Sequence, residues 1–109
     1  MARKKIPEET IKLINPQINY IKRKFNPKQI ILFGSRARGD NLKTSDVDLI
    51  VISEKFKNIN FHDRMVQAYG LWNKPIDLEV FCYTPEEFER KKKQIGIIRE
   101  AVKEGIVIT

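Results

Sequence analysis

Cysteine and histidine are nearly missing from this chain: Cys82 is its only thiol and His62 its only imidazole. A lone cysteine forms no internal disulfide, which points to a reducing compartment. One cysteine and one histidine cannot supply the roughly four nitrogen or sulfur ligands of a structural zinc site. No apolar run approaches the roughly 20 residues of a membrane span. The basic start, Met1-Ala2-Arg3-Lys4-Lys5, leads into no apolar signal core. The expectation is a cytoplasmic protein without a membrane role. There is no internal repeat and no low-complexity segment.

Acidic charge is in the minority. Fourteen Asp and Glu face 21 Lys and Arg, a formal net charge of +7. Such a balance attracts anions, whether nucleotides, nucleic acid or an acidic partner, although a lysine-rich solvated surface accounts for the same composition. The 109 residues fit one domain, 1–109, with residues 1–6 as a flexible basic arm. A chain of this length buries about two-thirds of the surface exposed when unfolded, which leaves little room for a second, substrate-holding domain.

What the sequence does contain is an ordered alternation of helical and strand patterns. After Pro7, Ile11, Ile14, Ile18, Ile21 and Phe25 recur at spacings of three and four, one apolar helical stripe. Asn15-Pro16 interrupts it, so two helical pieces on nearly one axis are expected. Gln29 to Phe33 reads as a strand buried on both faces, Ser35 to Gly39 as a short helix, and Asp46 to Ile52 as a second strand. A charged linker, 54–59, leads to a helix capped by Asn60 and carrying Phe61, Met65, Ala68, Tyr69 and Trp72, which stops before Pro75. Ile76 to Tyr83 is a third strand. Thr84-Pro85-Glu86-Glu87 is a capping box that opens a helical phase through Phe88, Ile95, Ile98 and Val102, with Gly96 a candidate break. Ile106 to Thr109 forms a short final strand. The fold class is α/β (α+β), a mixed β-sheet flanked by helices.

Chemistry concentrates between Ile30 and Val51. Gly34 ends the first apolar run and permits close backbone approach; Ser35 adds a hydroxyl, and Arg36 and Arg38 are suited to phosphate oxygens. A helix opening just after a strand directs free N–H groups at an anion. Strand parity then places Asp46 and Asp48 on one face and Val47 and Leu49 on the other. Two like charges so close repel unless a cation lies between them. The bland alternative is that Asp46 caps the strand and Asp48 pairs with Arg36 or Arg38. Asp77 lies near the start of the third strand, again opposite the aliphatic face, where pairing with Lys74 is its bland alternative. If the second and third strands are neighbours, the three carboxylates converge. Such a set favours Mg²⁺, and beside a phosphate turn it is the layout of two-metal nucleotidyl transfer.

Gly34-Ser35-Arg36-Ala37-Arg38-Gly39, five intervening residues, then Ser45-Asp46-Val47-Asp48-Leu49, resembles the signature of the DNA polymerase β-like nucleotidyltransferase superfamily, in its minimal nucleotidyltransferase (MNT) branch. Asp77 in Ile76-Asp77-Leu78 matches that family's third aspartate, and Ile98 to Ile108 is similar to the way such domains end. The resemblance runs from about Lys28 to the C-terminus. It implies a palm-like fold and transfer of a nucleoside monophosphate, AMP from ATP, with Mg²⁺ held by Asp46, Asp48 and Asp77. It also implies a HEPN-type partner toxin, adenylylated on a tyrosine hydroxyl, with this chain as the antitoxin. Two other readings stay open: a non-catalytic antitoxin that masks its partner, and a small-molecule nucleotidyltransferase that completes its acceptor site as a homo- or hetero-oligomer.

The remaining conspicuous residues have plainer expected roles. His62 belongs on a helix surface and Cys82 in the core. Met65, Tyr69 and Trp72 are expected to be core, or else a partner surface. Arg90-Lys91-Lys92-Lys93 reads as a solvated face, with nucleic-acid contact the lesser alternative. Glu79 shares the face of Asp77 and either supports the metals from outside or faces solvent.

Overall fold

Four consecutive buried residues, Ile30 to Phe33, need cover on both sides, and this determines the architecture. The computed structural model describes residues 6–109. In it β1 (Gln29–Phe33) lies inside a four-stranded sheet with β2 (Val47–Ile52), β3 (Leu78–Tyr83) and β4 (Ile106–Val107), in the order β3-β2-β1-β4. β1 is antiparallel to both β2 and β4, whereas β2 and β3 are parallel. The parallel pair requires a crossover, supplied by a single 3₁₀ turn (Glu54–Phe56) and by α3 (Phe61–Tyr69).

Period-two alternation sorts the strand residues between two cores. Val47, Leu49, Val51, Leu78, Val80 and Cys82 face α1 (Glu8–Phe25) and α3, packing with Ile14, Ile18, Ile21, Phe25 and Ala68. Ile31, Phe33, Ile50, Ile52 and Tyr83 face α4 (Pro85–Lys91) and α5 (Ile97–Glu104), packing with Phe88, Ile98 and Ala101. The short α2 (Ser35–Arg38) follows β1 directly. No described helix is long and apolar enough to cross a membrane.

Several expectations are corrected. α1 is one helix with Pro16 inside it, not two pieces. Pro16 is exposed, so water can satisfy the backbone carbonyl that loses its partner there. Ile11 is exposed and Thr10 takes the inward position instead. The charged linker 54–59 hides Phe56, which is fully buried and stacks on Phe25 with ring centroids 4.8 Å apart. α3 stops at Tyr69, earlier than the proline signal suggested. Its inward face is Arg64 and Ala68, while Phe61, Met65 and Tyr69 are exposed. The helical phase after Thr84 breaks in two before Ile97, leaving Ile95 and Val102 outside the core. Ile6, the end of the expected basic arm, packs against the larger core; residues 1–5 lie outside the described residues.

Arg64 shows why α3 turns a charge inward. Its guanidinium donates to the carbonyls of Ile59 (2.7 Å) and Cys82 (3.3 Å) and to both carboxylate oxygens of Glu87, at 2.5 and 3.2 Å. Glu87 also closes the capping box of α4: Thr84 N–H donates to it at 2.8 Å, and its own N–H donates to Thr84 Oγ1 at 3.2 Å. Arg64 thus ties α3 to β3 and to the start of α4, and holds the Glu87 carboxyl below its ordinary value.

Candidate active site

The antiparallel register of β1 and β2 sets Phe33 opposite Asp48, so the chain leaves β1 at Gly34 beside the Asp48 side chain. Gly34 has φ 74°, and a Cβ added there would collide with Asp48 Oδ2. Glycine is therefore required twice over, by backbone conformation and by the approach of a carboxylate. α2 opens at once with half-buried Ser35, and Gly39 closes it by donating its N–H to the Ser35 carbonyl at 2.9 Å. Ala37 and Arg38 donate their N–H groups to the Gly34 carbonyl at 3.0 and 3.1 Å, which leaves those of Ser35 and Arg36 without a partner in the helix. The turn can hold an anion while its neighbour holds a cation.

β2 and β3 start side by side. Val47 N–H donates to the Asp77 carbonyl at 2.9 Å, so Asp46 and Asp77 flank one level of the sheet. One level further, Asp48 lies opposite Glu79. Asp48 and Glu79 leave the sheet on the face opposite Val47, Leu78 and Val80, whereas Asp46 and Asp77, expected inside the strands, immediately precede them. Asp46, Asp77 and Glu79 are exposed, and Asp48 is half-buried. Burial, first of all, pushes the Asp48 carboxyl up to about 7. Glu79, within hydrogen-bonding reach, and the charge of Asp46 add to the rise, and only Arg38 opposes it. Asp77 is not among the groups acting on Asp48.

The geometry redistributes two expected roles. Arg36 does not face the phosphate turn. It is 3% exposed, and its guanidinium donates to the Ser45 carbonyl (3.0 Å), Thr10 Oγ1 (3.0 Å) and the Lys43 carbonyl (3.1 Å). It clamps the loop between α2 and β2 onto α1, because a buried cation must find acceptors and the loop carbonyls supply them. Neither arginine pairs with Asp48. Arg38 is exposed and donates to Asp40 (3.2 Å) and Glu104 (3.0 Å), both surface contacts that it can exchange for a ligand.

Glu79 is the residue that sequence reasoning undervalued. The signal was present in the shared parity of Asp77 and Glu79, but the register that puts Glu79 opposite Asp48 was not. Among the described residues, no three His, Cys, Asp or Glu side chains are gathered closely enough to hold a metal ion unaided. The donor set nonetheless fits Mg²⁺: hard oxygens that repel one another, of the kind that hold this ion through one or two carboxylates and complete its shell with substrate phosphates and water. His62, 84% exposed in its side chain, lies at the far end of α3 from this site. Cys82 is buried, and burial pushes its thiol up to about 12.

A family model described as "Nucleotidyltransferase domain" matches residues 14–108. The chain is 31% identical over 101 residues to "Putative protein adenylyltransferase MJ0604" of Methanocaldococcus jannaschii, covering 89% of this chain and 95% of that protein. It is 32% identical over 68 residues to "Probable protein adenylyltransferase MntA" of Haemophilus influenzae, covering 61% and 60% respectively. Among solved structures, one from Sulfolobus solfataricus described as "a putative nucleotidyltransferase" superposes with a TM-score of 0.64 at 25% identity, over 91% of this chain and 78% of that one.

Proposed function

The chain belongs to the nucleotidyltransferase domain family, and from that premise we propose that it is a Mg²⁺-dependent protein adenylyltransferase acting as an antitoxin, which transfers AMP from ATP to a hydroxyl on a HEPN-type partner protein. The observation that carries the reading is the contact of Gly34 with Asp48. It puts a phosphate-compatible turn against a carboxylate that repels its acidic neighbours and so favours a cation. Both similar relatives carry protein adenylyltransferase in their names, which supports a protein acceptor over a small molecule.

In this scheme Asp46 and Asp48 would hold Mg²⁺, with Asp77 either joining them or taking the acceptor's proton; bound there, the ion would neutralise the triphosphate and stabilise the departing pyrophosphate. Ser35 Oγ and the N–H groups opening α2 orient the phosphates, and Arg38 leaves Asp40 and Glu104 to join them. The acceptor hydroxyl oxygen bonds to the α-phosphorus, the bond to the pyrophosphate oxygen breaks and pyrophosphate leaves, and, where Asp77 is not itself a ligand, the hydroxyl proton passes to its carboxylate. Phe61, Met65, Val66 and Tyr69, at 42, 37, 57 and 40% exposure, form an apolar face on α3 that a partner protein could cover.

That same face favours a second reading, a binding module that neutralises its partner by masking. One experiment separates the two. The chain is incubated with labelled ATP, Mg²⁺ and the product of the neighbouring gene, as wild type and as an Asp46→Asn, Asp48→Asn double variant. Labelling of the partner by wild type alone is expected, and equal labelling by both overturns the catalytic reading. A double variant that still forms the complex but no longer neutralises the partner rules out masking as sufficient.

A further inference from the structure

The basic run that ends α4 is not a plain solvated face, because the fold sets it beside two bare isoleucines. Between Arg90 and Arg99 there are five cations and no acid. Lys92 pairs with Glu89 at 2.8 Å; among the described residues Arg90, Lys91, Lys93 and Arg99 form no ion pair. At the turn that joins α4 to α5, Ile95 and Ile97 are 92% and 58% exposed. They line a cavity of about 220 Å³ with Tyr83, Lys91 and Gln94. Tyr83 and Lys91 also line a second cavity, of about 370 Å³, together with Phe61 and Phe81. The two open side by side as one groove along β3. Phe81 and Tyr83 share the strand face of Glu79 and are held there by Phe33 and Phe61, at 5.8 and 5.6 Å between ring centroids. Phe61 joins the groove to the apolar face of α3.

We propose that the partner protein docks in this groove through an extended acidic segment, whose apolar side chains enter the two cavities and whose carboxylates meet Arg90, Lys91, Lys93 and Arg99. This rests on the protein-acceptor reading above and names the surface and the partner chemistry that it needs. Charge complementarity selects the occupant: four unpaired cations attract an anion, and the hollow between the isoleucines requires that the anion also carry apolar groups. A nucleic acid would stack its bases on open aromatic rings, but Tyr83, the ring at the basic end, is buried. A lipid surface takes up a protruding apolar face, whereas Ile95 and Ile97 line a cavity. An acidic peptide brings both carboxylates and apolar side chains. Charge also sets its direction. Exposed Asp77 and Glu79 at the start of β3 repel carboxylates, so the acidic end lies over the α4–α5 turn and the uncharged end points along β3 toward the site. Phe81 is two residues beyond Glu79, about 7 Å along the strand, which brings that end within reach of the phosphate turn.

The test is fluorescence anisotropy of the full chain, without ATP or metal, using a labelled peptide of glutamate, serine and leucine. About eight residues, at most roughly 28 Å when extended, suffice to follow the groove. A peptide with lysine in place of glutamate, a single-stranded polyuridine RNA and phosphatidylserine vesicles are the comparison probes. The acidic peptide should bind, more weakly as salt is raised, and the lysine peptide should not. An Ile95→Ser, Ile97→Ser variant should bind it about tenfold more weakly, the scale of one lost apolar side chain, and Lys91→Gln, Lys93→Gln should do the same. All four residues are exposed, so circular dichroism and melting should report unchanged folds. The Asp46→Asn, Asp48→Asn double variant should keep full binding. With the neighbouring-gene product as acceptor, the groove variants should raise the KM for that protein and leave the KM for ATP unchanged. Acidic-peptide binding that is absent in wild type, matched by the lysine peptide, or within threefold of wild type in the isoleucine variant overturns the proposal. So does RNA or vesicle binding that depends on these residues while the peptide does not bind. Peptide binding as expected without adenylyl transfer to any acceptor leaves the groove standing and overturns the catalytic reading instead.

Discussion

Replacing Asp48 by Asn should make the metal-free protein more stable at neutral pH, although it removes a central residue of the site. Asp48 goes from 3.8 in the unfolded chain to about 7 in the folded one. An acid raised on folding holds a proton that the unfolded chain has released, so stability falls as pH rises between those two values. At 1.36 kcal/mol per pKa unit the upper bound is about 4 kcal/mol. Asp48 is only half-buried, and solvent screening reduces this to about 1–2 kcal/mol. Asn carries no charge and escapes the whole penalty above pH 7, about a third of it at pH 5, and none below pH 3.8. In a domain of this size 1 kcal/mol moves Tm by roughly 4 °C, so Asp48→Asn should melt about 4–8 °C above wild type at pH 8 and much closer to it at pH 5. Excess Mg²⁺ should reverse the order. A ligand at 100 times its Kd stabilises the state it binds by about 2.7 kcal/mol, and the variant forgoes that gain. The measurement is urea and thermal unfolding at pH 8, 6 and 5, with EDTA or Mg²⁺. An Asp48→Asn variant less stable than wild type at pH 8 in EDTA would refute the reasoning, as would an advantage of equal size at pH 5.

Further outcomes are expected at four other residues. Arg64→Ala should cost about 3 kcal/mol in urea unfolding, because it strips the pairing from Glu87 and takes a donor from the buried Cys82 carbonyl and the half-buried Ile59 carbonyl. Wild type should also lose stability as pH falls through the lowered Glu87 value, and Arg64→Ala should show less of that acid sensitivity. Arg36→Lys should destabilise the fold by about 2 kcal/mol, since one ammonium cannot span three acceptors; exposed Arg38→Ala should unfold within about 0.5 kcal/mol of wild type yet raise the KM for ATP. Gly34→Ala should cost about 1–3 kcal/mol through backbone strain and the clash with Asp48, and should weaken Mn²⁺ binding in calorimetry.

The parts of this fold that could be read from the sequence are those governed by local rules. The run Gln29–Phe33, the Asn60 cap and the Thr84–Glu87 capping box depend on residues within four positions of one another, and each forms as its chemistry dictates. Misreadings occurred where the decision belonged to a distant partner. Arg36 looked like a phosphate ligand until Thr10, twenty-six residues earlier, and the loop carbonyls claimed its guanidinium. Phe61, Met65 and Tyr69 had core-like spacing, but Arg64 took the inward position on α3 because Glu87 and the Cys82 carbonyl were there to meet it. At the site, the shared face of Asp46 and Asp48 followed from parity alone. The pairing of Asp48 with Glu79 needed the register of two strands about thirty residues apart, which no local pattern encodes.

The mixed sheet also explains why the site is at this end of the molecule. In an open parallel sheet, ligands gather beyond the C-terminal ends of the strands. That end of β2 and β3 does contain a cavity of about 430 Å³, lined by Glu54, Lys57, Arg64, Thr84 and Glu87. Its most buried charges, however, are Arg64 and Glu87, which satisfy each other and hold helices together. The carboxylates stand at the opposite, N-terminal ends of β2 and β3. A phosphate turn can meet them there only because β1 runs the other way, delivering its own C-terminal end, Gly34, to the same edge. Reversing β1 would carry Gly34 the length of the sheet away from Asp48. The contact between these two residues is thus a product of strand direction, and the proposed function depends on it.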